Sequence, residues 1–500
     1  MKKYFSLIAL MCCIYSVLSA QESFVVKASG PNELNLPVDM VITPDDNIFF
    51  LFSSMPTNSS TVYTNKIVEL NPSGEIVNTF TYADTAHDYV RYYYSLLEDD
   101  TLYVFGFGYR PIGQNTLQIF LLTQTFDLQL NLIITNRVYL EQLYPNSALN
   151  GRIKYIDGNF HCISCFSGSN IGFRAFHAEV SKQGEIINFN IAGEIGKTLV
   201  PTDFIRDSCG GFQVYSGSAG YVAPYIMSGL LTKHNKDFQI ESFSPLPSNF
   251  YNFYTREAAN DSIFYLAGEW FDLNSAIFWR AGLLKMENDT TVLDEFLYTT
   301  YPDSATCPAY FNSIEILPDG NIIFCFTSNV LNNFYPQDQA AQINLMKLTP
   351  DLEVIWHRYI GEPDTKYDAY TMRTTDLDEI VILGAYSHAP PGNTFEMQAL
   401  FIKTNSEGII TGTNDGPSGV RSTEAIVYPN PARDFVQIEF SMAYTQATFS
   451  LLDISGKTVF EKQLTTNKQS LDVSGIPAGS YIYRIFNNNG LNEKGKLLVE

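Results

Sequence analysis

Cysteine, histidine and basic residues are all in short supply in this sequence, and each shortage excludes something. Of the seven cysteines, Cys12 and Cys13 fall in an N-terminal apolar run, which leaves Cys162, Cys165, Cys209, Cys307 and Cys325. An odd, sparse set is not a disulfide framework. Cys162-Ile-Ser-Cys165 has the spacing of a zinc pair, but it lies in a predicted strand, where positions three apart face opposite sides, and no second pair exists. The six histidines, at positions 87, 161, 177, 234, 357 and 388, show no metal-binding spacing. There is no phosphate loop, nucleophile elbow or dinucleotide fingerprint. The sequence therefore points to no metal and no cofactor. Lys and Arg number 31 against 53 Asp and Glu, a formal net charge of −22. That argues against a nucleic acid partner, because phosphate binding needs a basic surface.

Long apolar runs are confined to the start of the chain. Lys2 and Lys3 precede the apolar run Phe5–Leu18, which is short for a bilayer span, and Ser19-Ala20 resembles a small-residue cleavage site. Residues 1–20 are expected to be a signal peptide, with no integral membrane segment left after its removal. What remains is rich in aromatics (14%) and poor in charge (17%), a composition that favours a folded β protein.

The stretch from Phe311 to Gly361 shows the organising unit. Four short alternating runs are joined by a Pro318-Asp319-Gly320 turn, a long loop and a Thr349-Pro350-Asp351 turn, the pattern of four antiparallel strands. The unit recurs seven times. The apolar residue opening each second strand is Ile48, Leu102, Phe160, Phe212, Ile263, Ile322 and Ile380, at spacings of 51 to 59 residues. Four-stranded units of this period are propeller blades, which cover one another's faces around an axis. The expected fold is all-β: a seven-bladed β-propeller over residues 21–412, a Gly/Ser/Thr/Asn-rich linker at 413–423, and a small β-sandwich over 424–500. The fourth strand of unit seven, Gly408–Thr411, is stunted, and the orphan run Ser23–Ala28 is expected to pair with that unit and close the ring.

Turns between first and second strands, and between third and fourth, are tight. The second-to-third loops and the links between units are long, and in an antiparallel meander both emerge on one face, where function concentrates. Aromatics gather there. Tyr109, Trp270, Phe271, Tyr335 and Tyr367 are the candidate ligand contacts, since flat apolar faces with polar edges suit sugars or peptides. For Tyr92 and Tyr310 a second reading stands: first-strand aromatics plugging the axis. His87-Asp88 on the same face is a weaker candidate for a catalytic base, and Asp45-Asp46 and Asp99-Asp100 fit turns better than calcium sites. If the chain were instead a hydrolase, Glu269, Asp272, Asp364 and Asp368 would be its carboxylates.

Units six and seven resemble a bacterial propeller family with a Tyr-rich first strand and a Lys-Leu…Trp hairpin, here Lys366-Tyr-Asp-Ala-Tyr370, Val381-Ile-Leu-Gly384, Leu345-Met-Lys-Leu348 and Val354-Ile-Trp356. That resemblance implies fold, not activity. The tail is more specific. It carries Tyr428-Pro429-Asn430-Pro431, then Phe449–Val459 with Asp453-Ile-Ser-Gly456, then Leu471–Ile485 with Ala478-Gly479, and closes on Lys496-Leu-Leu-Val-Glu500. These blocks resemble the type A sorting domain of the type IX secretion system of Bacteroidetes. The resemblance implies the type IX machinery as partner, export across the outer membrane, and a secreted or cell-surface product, with Pro429, Asn430, Pro431, Asp453, Gly456, Gly479 and Lys496 as the sorting motif. The expected function is an exported propeller that binds a protein or glycan through its long-loop face. The alternatives are a polysaccharide hydrolase or lyase and a structural surface component.

Overall fold

The computed structural model describes the chain except for residues 1–22, 29–32, 57–63, 84–88, 114–115, 145–149, 169–171, 193–199, 218–228, 246–249, 261, 272–278, 288–290, 299–304, 330–340, 363–364, 389–396, 411–420, 424, 429, 441–445, 488–490 and 500. Every described element is a β-strand. The first sheet has Glu33–Ile42, Ile48–Pro56, Thr64–Leu70 and Ile76–Ala83 in sequence order from its inner to its outer edge. Four further sheets repeat that order, with inner strands Tyr89–Glu98, Asn150–Ile156, Val200–Arg206 and Phe250–Ala258. In the sixth the inner edge is split into Thr306–Pro308 and Ile314–Ile316, both paired with Ile322–Ser328. The seventh has Thr365–Thr374, Ile380–His388 and Gln398–Thr404.

Each inner strand touches the inner strand of the next sheet, and Thr365–Thr374 returns to Glu33–Ile42, so the sheets close a ring as a propeller does. The second strands lie between two neighbours and two faces. They read as continuous apolar runs because nothing on them meets water; Ile322–Ser328 is buried throughout. The fourth strands form the rim, and Ile76–Ala83 accordingly alternates between exposed and half-buried positions. The expected anchors all fall at the first or second residue of their strands. Asp46, Asp99 and Asp100 adopt positive φ in the tight turns, the turn role expected of them.

The ring is closed by the start of the chain. Phe24–Ala28 pairs antiparallel with Gln398–Thr404, from Phe24 opposite Lys403 to Ala28 opposite Ala399. It occupies the place of the stunted strand Gly408–Thr411, which a turn at Asn405–Gly408 leads into. Phe24 packs with Met40, Phe50 and Phe401 across the seam between the last sheet and the first. It also lies against Gly74 of the first sheet. That glycine has φ +85°, and a Cβ there would come within 2.5 Å of the Phe24 ring. Lys27 pairs with Glu362 at 3.1 Å and sits over the Tyr386 ring.

The third strand of unit four runs Leu230–His234. One expectation differs from the structure: the linker does not hang free at its end. Arg421–Thr423 pairs with Tyr359–Gly361 on the outer edge of sheet six, where an extended chain satisfies backbone groups that an edge leaves open. Beyond it, Ala425–Tyr428, Phe435–Phe440 and Lys468–Asp472 form one sheet. Thr458–Leu464, Ala447–Leu452, Gly479–Phe486 and Asn492–Val499 form another. The two share one buried cluster centred on Val436, Phe449, Ile485 and Leu497. Tyr428 packs instead against the apolar cluster of sheets five and six.

Phe24 is nearly fully buried in the closing seam. Phe24→Ala is expected to cost about 3–5 kcal/mol, and removal of residues 21–29 should lower the melting temperature of the entire ring. Differential scanning calorimetry that shows an unchanged transition in both variants would refute closure by this strand.

Candidate ligand site and sorting motifs

The inner strands are not regular. Their pairing slips by one residue between Pro37 and Asp39, Tyr92 and Tyr94, Pro201 and Asp203, Phe253 and Thr255, and Ala369 and Thr371. Each slip is a β-bulge, which turns one unpaired side chain out of the sheet's alternation. Here the extra residues are Val38, Tyr93, Thr202, Tyr254 and Tyr370, and all of them line cavities on the ring axis. In sheet six the break between the two inner pieces does the same for Tyr310 and Phe311.

Among the described residues two cavities are lined by the inner strands along the axis. The larger, of about 450 Å³, is lined by early residues of the inner strands, among them Arg91, Tyr93, Arg152, Tyr254, Tyr310 and Tyr370. It therefore opens toward the inter-sheet links and long loops. The Tyr310 ring stands 4.9 Å from Tyr370 and 6.1 Å from Tyr254, centroid to centroid. Arg152 braces this wall: Nε donates to the Thr202 carbonyl at 2.8 Å, and Nη2 to the carbonyls of Tyr310, at 3.1 Å, and Tyr254. The Tyr254 hydroxyl donates to Glu269 at 2.9 Å and accepts a long contact from the Cys307 thiol. Asp368 adjoins Tyr310 and Tyr370. Burial pushes its carboxyl up to about 6, with only Lys366 pulling it back.

The smaller cavity, about 290 Å³, lies toward the tight turns and is charged. Lys154 bonds Asp203 at 2.7 Å, and Arg373 bonds Glu315 at 3.2 Å and reaches Asp39 at 3.9 Å. Burial alone would raise the Asp203 carboxyl, but Lys154 and Arg152 outweigh it and hold it low. Glu257 makes no ion pair among the described residues, and burial followed by the Glu315 charge pushes it up to about 7 against the pull of Lys154 and Arg373.

The expected ligand residues scatter. Tyr109 and Trp270 are half-buried at the loop ends of their strands, and Trp270 has the Arg280 guanidinium 5.7 Å from its ring. Tyr335 and the side chain of Phe271 lie outside the described residues, as do Asp272, Asp364 and His87-Asp88. Tyr367 is wholly buried among Leu345, Leu400 and Tyr386. Its place is between sheets six and seven, not on the ligand face, because it precedes the bulge and still follows the sheet's alternation. Tyr92 is likewise buried, with its hydroxyl bonded to Gln124, so the axis reading fails for it and holds for Tyr310. The residues missed were Arg91, Tyr93, Arg152, Tyr254 and Tyr370. The available signal was an aromatic nine or ten positions before an anchor, true of Tyr93, Tyr254 and Tyr370. The strand histidines are structural: His161 and His177 bond each other at 3.0 Å, and His357 bonds Asn344 at 2.9 Å. Among the described residues no group of His, Cys, Asp and Glu could hold a metal.

The sorting motif residues hold the tail together. Asn430 accepts from the Leu498 amide at 2.8 Å and donates to the Lys496 carbonyl at 2.9 Å, which clamps the first motif block to the last strand. The Asp453 carboxylate accepts from the Ser455 amide and hydroxyl and from the Lys457 amide, and Gly456 completes that turn at φ +83°. Asp472 and Ser474 repeat the device. Gly479 opens the strand that crosses the centre of the second sheet. Pro431 follows the clamp residue, and Pro429 lies outside the described residues.

Residues 426–500 match the family model of the secretion system C-terminal sorting domain. The tail is a type IX sorting domain, and it marks the chain for secretion by that route. No curated protein matches the chain. Solved structures similar to it include the endosialidase of phage phi92, at 9% identity over 95% of this chain and 87% of that one, with a TM-score of 0.40. An α-L-arabinofuranosidase from Fusarium graminearum is similar at 10% identity over 77% and 99%, TM-score 0.38. A β-xylosidase/α-arabinofuranosidase from a compost metagenome is similar at 10% over 54% and 94%, TM-score 0.31. Similarity of this degree assigns no activity to the chain.

Glu257 has a testable consequence. Its folded pKa stands above the ordinary carboxyl value, so the stability it contributes is complete below about 4.5 and is lost as pH rises through about 7. Glu257→Gln mimics the neutral form. It should raise stability at pH 8 by on the order of 1–2 kcal/mol once cavity solvent is allowed for, seen as a higher melting temperature, and leave it unchanged at pH 4. Equal melting temperatures at pH 8 would contradict the assignment.

Proposed function

We propose that this chain is an exported glycan-binding propeller that takes its ligand at the loop-side mouth of the ring axis. The observation that supports it is the composition of the larger cavity: tyrosine rings from several sheets, with guanidinium groups beside them and about 450 Å³ of space. Sugars offer apolar ring faces edged by hydroxyls, and aromatic plates flanked by fixed polar donors match both features. In this reading residues 1–20 are the signal peptide, 21–412 the propeller, 413–423 the connection and 424–500 the sorting domain, which engages the type IX machinery. The product is either released or held at the cell surface. Trp270 and Tyr109, with Phe271 and Tyr335, would extend the binding surface outward from the mouth.

Hydrolysis is the second reading, favoured by one observation. Asp368, held protonated up to about pH 6 beside the same wall as Glu269, has the character of a general acid. Turnover of a polysaccharide that is lost in Asp368→Asn would make the protein an enzyme.

Glycan-array screening followed by calorimetric titration of the mature protein tests the main reading. Tyr310→Ala and Tyr370→Ala should each weaken sugar binding about tenfold, the loss of one stacking plate. Sugar affinity unaffected by both would move the site elsewhere, and absence of any sugar ligand would end the reading. Export is tested separately. Deletion of 424–500 in a host with the type IX system should leave the propeller folded in the periplasm, and its arrival at the surface would show that the tail is dispensable.

A further inference from the structure

We propose that the glycan bound at the axial mouth is acidic, and that Arg91 binds its carboxylate. The inference rests on the glycan reading and adds the ligand's charge and the residue that reads it. The cations along the axis are otherwise committed: Arg152 to three carbonyls, Lys154 to Asp203, Arg373 to Glu315, and Arg256 to the Tyr215 hydroxyl. Arg91 is the exception. Among the described residues it has no ion pair, its guanidinium contacts the Tyr93 ring at 5.2 Å, and its Nε is buried with no acceptor.

That arrangement is costly at one atom: Arg91 is half-buried, but its Nε has lost its water without replacement. Acids are abundant in this chain, with 53 Asp and Glu against 31 Lys and Arg, yet among the described residues none forms an ion pair with Arg91. The guanidinium fork fits a carboxylate through two parallel bonds, and in a walled cavity those bonds are stronger than at a surface. The neighbouring plates decide the ligand class. Tyr93, Tyr310 and Tyr370 share the cavity with Arg91, so the carboxylate belongs on a ring that stacks, as in a uronic acid or another carboxylated sugar. An acidic peptide would leave the plates uncovered.

The test uses the mature full-length protein. Oligogalacturonate, a glucuronate-containing oligosaccharide and an N-acetylneuraminyl oligosaccharide are each titrated beside the corresponding methyl ester. The expected result is that at least one acid binds roughly 10- to 100-fold tighter than its ester. Arg91→Gln should abolish that difference while leaving the melting temperature intact, and Arg91→Lys should restore part of it. The acid-to-ester ratio on the unaltered protein needs no variant, so a folding defect in Arg91→Gln does not blunt the test. Equal binding of acid and ester, or a preference that survives Arg91→Gln, overturns the inference and leaves the glycan reading standing. Absence of binding to acidic and neutral sugars alike overturns both. Arg91-dependent binding of a glutamate-rich peptide, with no sugar bound, overturns the choice of sugar.

Discussion

The structure depends on a one-residue slip repeated around its axis. A regular inner strand would alternate its side chains between the two neighbouring sheets. The bulge inserts an unpaired residue, turns it to the axis, and puts the residue after it against the neighbouring sheet. Asp39 there accepts the Ser95 amide at 2.8 Å and the Ser95 hydroxyl at 3.0 Å; Asp203 accepts the Arg256 amide at 2.8 Å; Thr255 accepts the Ser313 amide at 3.0 Å. Thus one irregularity makes both the wall of the cavity and the bond between sheets. A typical hydrogen bond contributes only about 1 kcal/mol net, but these groups are buried, and losing a partner would leave each one desolvated and unmet. Ligand site and ring integrity therefore share the same few residues.

The ends of the axis divide the work between them. Toward the tight turns, acids and bases pair with one another around the smaller cavity. Toward the long loops, tyrosines replace the ion pairs, and Arg152 is drawn into bracing their carbonyls. The change happens within three residues of an inner strand, as at Tyr254 and Glu257 or Tyr370 and Arg373.

The ring was legible in the sequence because its signals are local. An apolar residue after a tight turn marks every second strand, since those strands are covered on both faces whatever their neighbours. The orphan run at Ser23 and the stunted strand at Gly408 could be matched because each lacked a partner nearby. The tail was legible for the same reason: Asp453 and Asp472 build their turns with residues two to four positions away. The site was much less legible. In Tyr92-Tyr93-Tyr94 nothing in the residue types tells which ring faces the axis, and the alternation rule assigns the wrong one because the bulge breaks it. Tyr367 failed in the same way, three residues short of Tyr370. The edge pairing of Arg421–Thr423 was invisible because a polar, flexible composition describes a linker's freedom and not the open strand it happens to pass.

Closure by the first strand also sets an order of events. Phe24–Ala28 precedes every other part of the ring along the chain, yet its partner strand Gln398–Thr404 comes nearly last. Contacts so distant along the chain form slowly, and until they form two strand edges stay bare, a condition that invites aggregation. The six earlier sheets can each assemble from neighbouring strands as they emerge. The final seam cannot, and the passage from open arc to closed ring is therefore the step at which a chaperone or protease would have the longest access to the chain.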